Sequence, residues 1–216
     1  MGKYFTQAKK EGRAMRTIVI TGGPCSGKTS ALTVLKEAFN FPGIALIVVD
    51  EAGTDLIMDG TSPESCGSML AFQTKVAALQ RLREADAKAR ALILKRVENG
   101  PKPLVVCDRG IADGAAYLSH EEYLQVLESQ ELQEDKIFSR YDAVFCLESA
   151  AKLSPEAYSL SNNEARSETQ EEAAALDDRT YAAWKDHPHF YFIRNEENFE
   201  DKVEALMWAI VTFLQD

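Results

Sequence analysis

Short apolar runs alternate along this chain with longer stretches of helical spacing. Thr17–Thr21 (TIVIT) is a β-branched run closed by glycines and predicts a buried strand. Lys28–Phe39 is patterned as a helix, which the Asn40-Phe41-Pro42-Gly43 segment ends. Ile44–Val49 (IALIVV) is apolar throughout and too short for a helix, as expected of a parallel strand buried on both faces. A Gly-, Ser- and Pro-rich stretch follows over 60–68. A long helix is expected over 72–98, where Leu79, Leu82, Ala89, Ile93 and Val97 recur at helical spacing before Asn99-Gly100-Pro101 stops it. Leu104–Cys107 and Ala143–Leu147 predict the third and fourth strands, and the acidic segment 121–135 between them reads as a helical surface insertion. Thr169 and Glu172 have the capping-box spacing, which starts a helix running to His187, just before Pro188. Phe190–Ile193 predicts the fifth strand and Phe199–Leu214 a closing amphipathic helix.

Five apolar strands separated by helices predict an α/β fold, with one parallel sheet and helices on both of its faces. A length of 216 residues suits one elaborated domain. Residues 1–16 stand apart as a basic tail, with Lys3, Lys9, Lys10, Arg13 and Arg16 facing only Glu11, so the domain is placed at 17–216. The 24 Lys and Arg against 34 Asp and Glu give a net charge of −10, which argues against general nucleic-acid binding. The longest apolar run, Ala205–Val211, falls far short of the roughly 20 residues that span a bilayer. The four cysteines form no CxxC pair, so neither a zinc ribbon nor a disulfide framework is suggested. A cytoplasmic setting is expected.

The chemistry enters at Gly22-Gly23-Pro24-Cys25-Ser26-Gly27-Lys28-Thr29, which satisfies G-x-x-x-x-G-K-[ST] and runs on into Ser30. Glycines at these spacings let the backbone fold back so that its N–H groups face an anion, and the following helix adds its positive end. Lys28 is expected to reach the β- and γ-phosphates of ATP or GTP, with the Thr29 hydroxyl on Mg²⁺. The required context, a strand before and a helix after, is present.

Leu104–Asp108 is a hydrophobic strand ending in an acid, so Asp108 is the second expected Mg²⁺ ligand. Arg109 follows it where a water-activating Glu would favour hydrolysis. That exchange shifts the expectation toward transfer of the γ-phosphoryl group to a held acceptor, a small molecule bearing a hydroxyl or a phosphate. The other reading of Arg109 is an ion pair with Asp113, four residues on. Glu51, just past the second strand, is a candidate general base or metal organiser, and Asp50 a candidate cap. Segment 149–170 reads as a lid carrying Arg166 toward the phosphates; a surface pair with Glu164 or Glu168 is the alternative. The basic stretch Lys75–Arg96 is either a solvated face or a surface for an anionic lipid or protein partner, with Arg81 or Arg83 able to meet an acceptor phosphate if the helix borders the cleft.

The segments ITGGPCSGKTSAL, VVDEAGTDLI, VVCDRGIADGAAYL and NNEARSETQEEAAALD together resemble a branch of P-loop kinases related to the nucleoside and nucleotide monophosphate kinases. The pattern is similar to the AAA-type domain shared by bacterial ribosylnicotinamide kinase and the TRP-channel translocation-defect proteins. The resemblance runs over about 17–214. It implies a five-stranded sheet in the order 2-3-1-4-5 with a helical lid. It also implies ATP or GTP with Mg²⁺ at Gly22–Thr29 and Asp108, and Arg109 and Arg166 near the phosphates. No N-K-x-D segment supports a preference for guanine, and no residue matches a lipid site. A nucleotide-dependent binding or regulatory module with slow NTP hydrolysis stands as the alternative to a kinase.

Overall fold

A computed structural model describes residues 15–39, 43–97, 100–153 and 169–215. Residues 1–14 of the expected tail and 154–168 of the expected lid, with Arg166, lie outside the described residues. The five strands are β1 (Arg16–Thr21), β2 (Ile44–Val49), β3 (Lys102–Asp108), β4 (Ala143–Leu147) and β5 (Phe190–Ile193). They pair in parallel in the order β2-β3-β1-β4-β5, as the family resemblance implied. Parallel neighbours need crossovers, and the intervening helices supply them.

Alternation along the strands sorts the core into two layers. Ile18, Ile20, Val106, Phe145 and Leu147 face α1 (Lys28–Ala38) and α7 (Phe199–Gln215), whose Leu35, Leu206 and Ile210 are fully buried. Val19, Val105, Cys107 and Val144 face the opposite layer with Ala87, Ala91 and Trp184. That layer contains α4 (Met69–Lys95), α5 (His120–Ser129) and α6 (Gln170–Trp184). Burial on both faces explains why the strands read as unbroken apolar runs.

Some boundaries differ from expectation. The long helix begins at Met69 rather than at 72 because the Ser68 hydroxyl accepts the Ala71 N–H at 3.1 Å. Two short helices, α2 (Ala52–Met58) and α3 (Pro63–Cys66), fill the segment between β2 and α4. The acidic segment is helical as expected but shorter and packed into the core: Ser119 and Glu122 cap α5, and its Tyr123, Val126 and Leu127 are buried. It ends at Ser129, two residues before Glu131 turns left-handed (φ 56°). Among the described residues, no helix is long and apolar enough to cross a membrane.

Candidate nucleotide-binding site

β1 is the central strand, and its C-terminal end runs directly into the glycine-rich loop. Close approaches require glycine there, as two positions illustrate. A Cβ on Gly23 would lie 2.6 Å from the Cβ of Asp177, so α6 packs against the loop backbone. Gly27 is left-handed (φ 84°), and a Cβ on it would lie 2.4 Å from the Phe199 ring. Cys25 is also left-handed (φ 58°), a conformation that costs an L-residue about 1–2 kcal/mol.

Three successive carbonyls of the loop are gripped from outside. Pro24 O accepts from the Ser149 hydroxyl, Cys25 O from the Ala150 N–H at 3.1 Å, and Ser26 O from Lys202 Nζ at 3.0 Å. In a trans peptide the C=O and the next N–H point opposite ways, so these anchors turn the N–H groups of Cys25, Ser26 and Gly27 to the other side. That is the backbone form of an anion nest. The Gly23 N–H is committed to Asp177 Oδ1 at 2.8 Å, and the Ser26 N–H makes a long bond to Gly23 O at 3.4 Å.

Lys28 opens α1 and is buried over the loop, its Nζ donating to Gly22 O at 2.9 Å and Gly23 O at 3.3 Å. Burial, assisted by Arg109, pushes its ammonium down to about 8 against the opposing pull of Glu51, Asp108 and Asp113. Thr29 and Ser30 lie exposed on the first turn of α1. Asp108 ends β3 opposite Ile20, beside the loop. Burial raises its carboxyl to about 6, Glu51 and Asp113 adding to the effect and Lys28 and Arg109 opposing it. Its Oδ1 is buried and accepts no hydrogen bond. A hard divalent cation takes oxygen ligands of this kind, so Asp108 fits Mg²⁺ coordination, with Thr29 as the second oxygen donor within the motif.

Arg109 lies between two carboxylates. Its Nε donates to Glu51 Oε1 at 2.6 Å and its NH1 to Asp113 Oδ1 at 3.1 Å. The ion pair with Asp113, one of the two readings of Arg109, is thus formed. Burial acts to raise the Glu51 carboxyl, but Arg109 and Lys28, with hydrogen bonds from Arg109 and Thr54, hold it at about 2. Asp113 also accepts from the Thr21 hydroxyl, from the Gly110 N–H at 2.8 Å and from the Trp184 indole N–H at 3.0 Å. Arg109 itself has φ 66°. The two other candidate arginines are engaged with the protein: Arg81 with Gln130 O, and Arg83 with Asp55 at 2.7 Å and Asp50 O at 3.2 Å.

The sequence reading brought Gly22–Ser30, Glu51, Asp108 and Arg109 to one edge of the sheet. It did not single out Asp177, Lys202 or Ser149 for the loop, because each acts on it from more than a hundred residues away. Lys202 is 4% exposed and donates to Ser26 O, to Glu148 O at 2.5 Å and to Asn195 Oδ1 at 2.9 Å. A lysine on the buried face of an amphipathic helix, between Phe199 and Leu206, was the available signal. Asp177 is paired with Lys152 at 2.8 Å, which in turn holds Asp178 at 2.8 Å.

A glycine-rich phosphate loop between the central strand and a helix, in a parallel 2-3-1-4-5 sheet, defines a nucleotide-binding protein of the P-loop NTPase type. A family model described as an AAA domain matches residues 17–202, and the chain belongs to that family. The match agrees with the resemblance carried by the four motif segments. No curated protein matches the chain.

Proposed function

We propose that the protein binds Mg·ATP or Mg·GTP and transfers the γ-phosphoryl group to a small nucleoside- or nucleotide-like acceptor. The observation that carries this reading is Arg109, which occupies the position after Asp108 where a hydrolase would place a water-activating carboxylate. Lys28 would leave the loop carbonyls for the β- and γ-phosphates, exchanging neutral acceptors for charged ones. Asp108 and Thr29 would hold Mg²⁺, which when bound neutralises charge on the phosphate oxygens. Arg109, locked on two sides, presents a preorganised cation to developing negative charge. Glu51, with a carboxyl near 2, is a poor proton acceptor and serves better to aim Arg109. A loose phosphoryl-transfer transition state places little demand on a base. Arg166 keeps the lid role expected from its sequence context.

A second reading is a nucleotide-dependent binding module with slow hydrolysis, its partner a protein or an anionic lipid. Mutual satisfaction of Arg109, Glu51 and Asp113 favours it, since neither carboxylate is poised to activate water. Incubation with Mg·ATP or Mg·GTP and a panel of nucleosides, nucleotides and phosphoinositides separates the two. A phosphorylated acceptor, lost in Lys28→Ala, supports the transferase. Tight nucleotide binding with only slow phosphate release selects the module.

A further inference from the structure

Glu84 is fully buried in the middle of α4, outside the residues assigned to the phosphate site. A buried carboxylate is retained only with partners, and Glu84 has three at hydrogen-bond distance. Its Oε1 accepts from the Tyr141 hydroxyl at 2.7 Å and from Gln80 Nε2 at 3.2 Å. Its Oε2 accepts from Arg140 NH2 at 2.7 Å. Two of these partners reach on to one turn: Gln80 Nε2 donates to Arg109 O at 3.0 Å, and the Tyr141 hydroxyl accepts the Ile111 N–H at 2.9 Å. The donors and acceptors balance, because the amide has two hydrogens and the hydroxyl donates once and accepts once.

These two bonds bracket Gly110, the residue after left-handed Arg109 (φ 66°). Such a backbone persists only where its surroundings over-determine it. The same helix pins the neighbouring strand end, since Arg83 NH1 donates to Asp50 O at 3.2 Å. One rigid element thus sets the β2 and β3 ends relative to each other. We infer that Glu84 is a positioning residue for the nucleotide site: through Gln80 and Tyr141 it holds the Asp108-Arg109-Gly110 turn in the conformation that aims Asp108 at the metal. The inference rests on the proposed Mg²⁺-dependent reading of Asp108.

The test uses Tyr141→Phe, Glu84→Gln and the double variant, with Ile210→Val in the opposite core layer as a control of similar stability loss. Calorimetry measures ADP affinity with Mg²⁺ and with EDTA, alongside melting temperature. The expected result is that affinity in EDTA stays within about twofold of wild type, while the gain on adding Mg²⁺ falls about fivefold in each single variant. The double variant loses no more than the larger single, because both act through one network. Retention of the full Mg²⁺ gain by both variants, or an equal loss in Ile210→Val, overturns the inference alone. A wild-type protein whose affinity ignores Mg²⁺ overturns the metal reading itself, and the inference with it.

Discussion

Arg109 Nε and Glu51 Oε1 are 2.6 Å apart, so a single ion pair ties the end of β3 to the turn after β2. The guanidinium side chain is 14% exposed and Asp113 holds its other side. Removing either carboxylate leaves a buried cation short of a partner, which makes this pairing a mechanical coupling between two strand ends as well as an electrostatic one.

Asp113→Ala is therefore expected to be among the most destabilising single changes in the site. It strips an acceptor from Thr21, Arg109, Gly110 and Trp184 together. A loss of about 3–5 kcal/mol is expected for breaking a buried pair, measured by urea denaturation.

Asp108→Asn should act in the opposite direction on stability. The folded carboxyl sits at about 6 against an ordinary 3.8, so between those values the folded state binds more protons than the unfolded one. Stability then declines as pH rises through that window and stays lower above it. The amide removes the penalty, raising stability at pH 7 by up to about 3 kcal/mol, with a much smaller gain near pH 4. The same variant should lose the Mg²⁺-dependent part of nucleotide affinity. Melting curves at the two pH values and calorimetry with and without Mg²⁺ check both parts.

Lys28→Ala should weaken Mg·ATP binding by roughly 10- to 100-fold, the value of a charge-assisted contact. Because burial holds the free ammonium at about 8, a bound polyphosphate should draw a proton onto it when binding is measured near that pH. Calorimetry at pH 8 in buffers of different ionisation enthalpy should reveal proton uptake in wild type and less of it in Lys28→Ala.

Lys202→Met keeps the stem in the core but removes the donor to Ser26 O, Glu148 O and Asn195 Oδ1. A stability loss of roughly 1–3 kcal/mol is expected from the stranded acceptors, partly offset by no longer burying a charge. Nucleotide affinity should also fall, because the Ser26–Gly27 peptide loses its outer anchor. Unchanged affinity at unchanged stability would show that the loop holds its shape without α7.

Fold class and the phosphate loop were legible because each depends on local signals: apolar runs bounded by turns, and glycine spacing between a strand and a helix; the strand order, which no local signal carries, came from the family resemblance. Capping residues corrected the boundaries, as at Ser68, whose hydroxyl extends α4 by three residues beyond the apolar pattern. The acidic segment was read as helical, but the charges around Tyr123, Val126 and Leu127 obscured that this face packs into the core. The supports of the site were less visible. Gly23 and Asp177 are 154 positions apart, and Ser26 and Lys202 are 176 apart. Neither Asp177 nor Lys202 belongs to a spaced motif, and only the three-dimensional path of α6 and α7 brings them to the loop. Arg109 shows the intermediate case. Its pairing with Asp113 matches the four-residue spacing in the sequence, though it closes across the turn at left-handed Arg109 rather than along a helix, and that with Glu51 needs β2 and β3 side by side.

The indole of Trp184 is fully buried and donates to the same Asp113 that grips Arg109. It is one of only two tryptophans, the other being half-exposed Trp208. Tryptophan emission from a Trp208→Phe background, excited beyond the tyrosine absorption band, would therefore come from a single indole bonded to the arginine clamp. The protein thus contains its own optical gauge of whether that clamp tightens or slackens when a ligand arrives, with no dye attached.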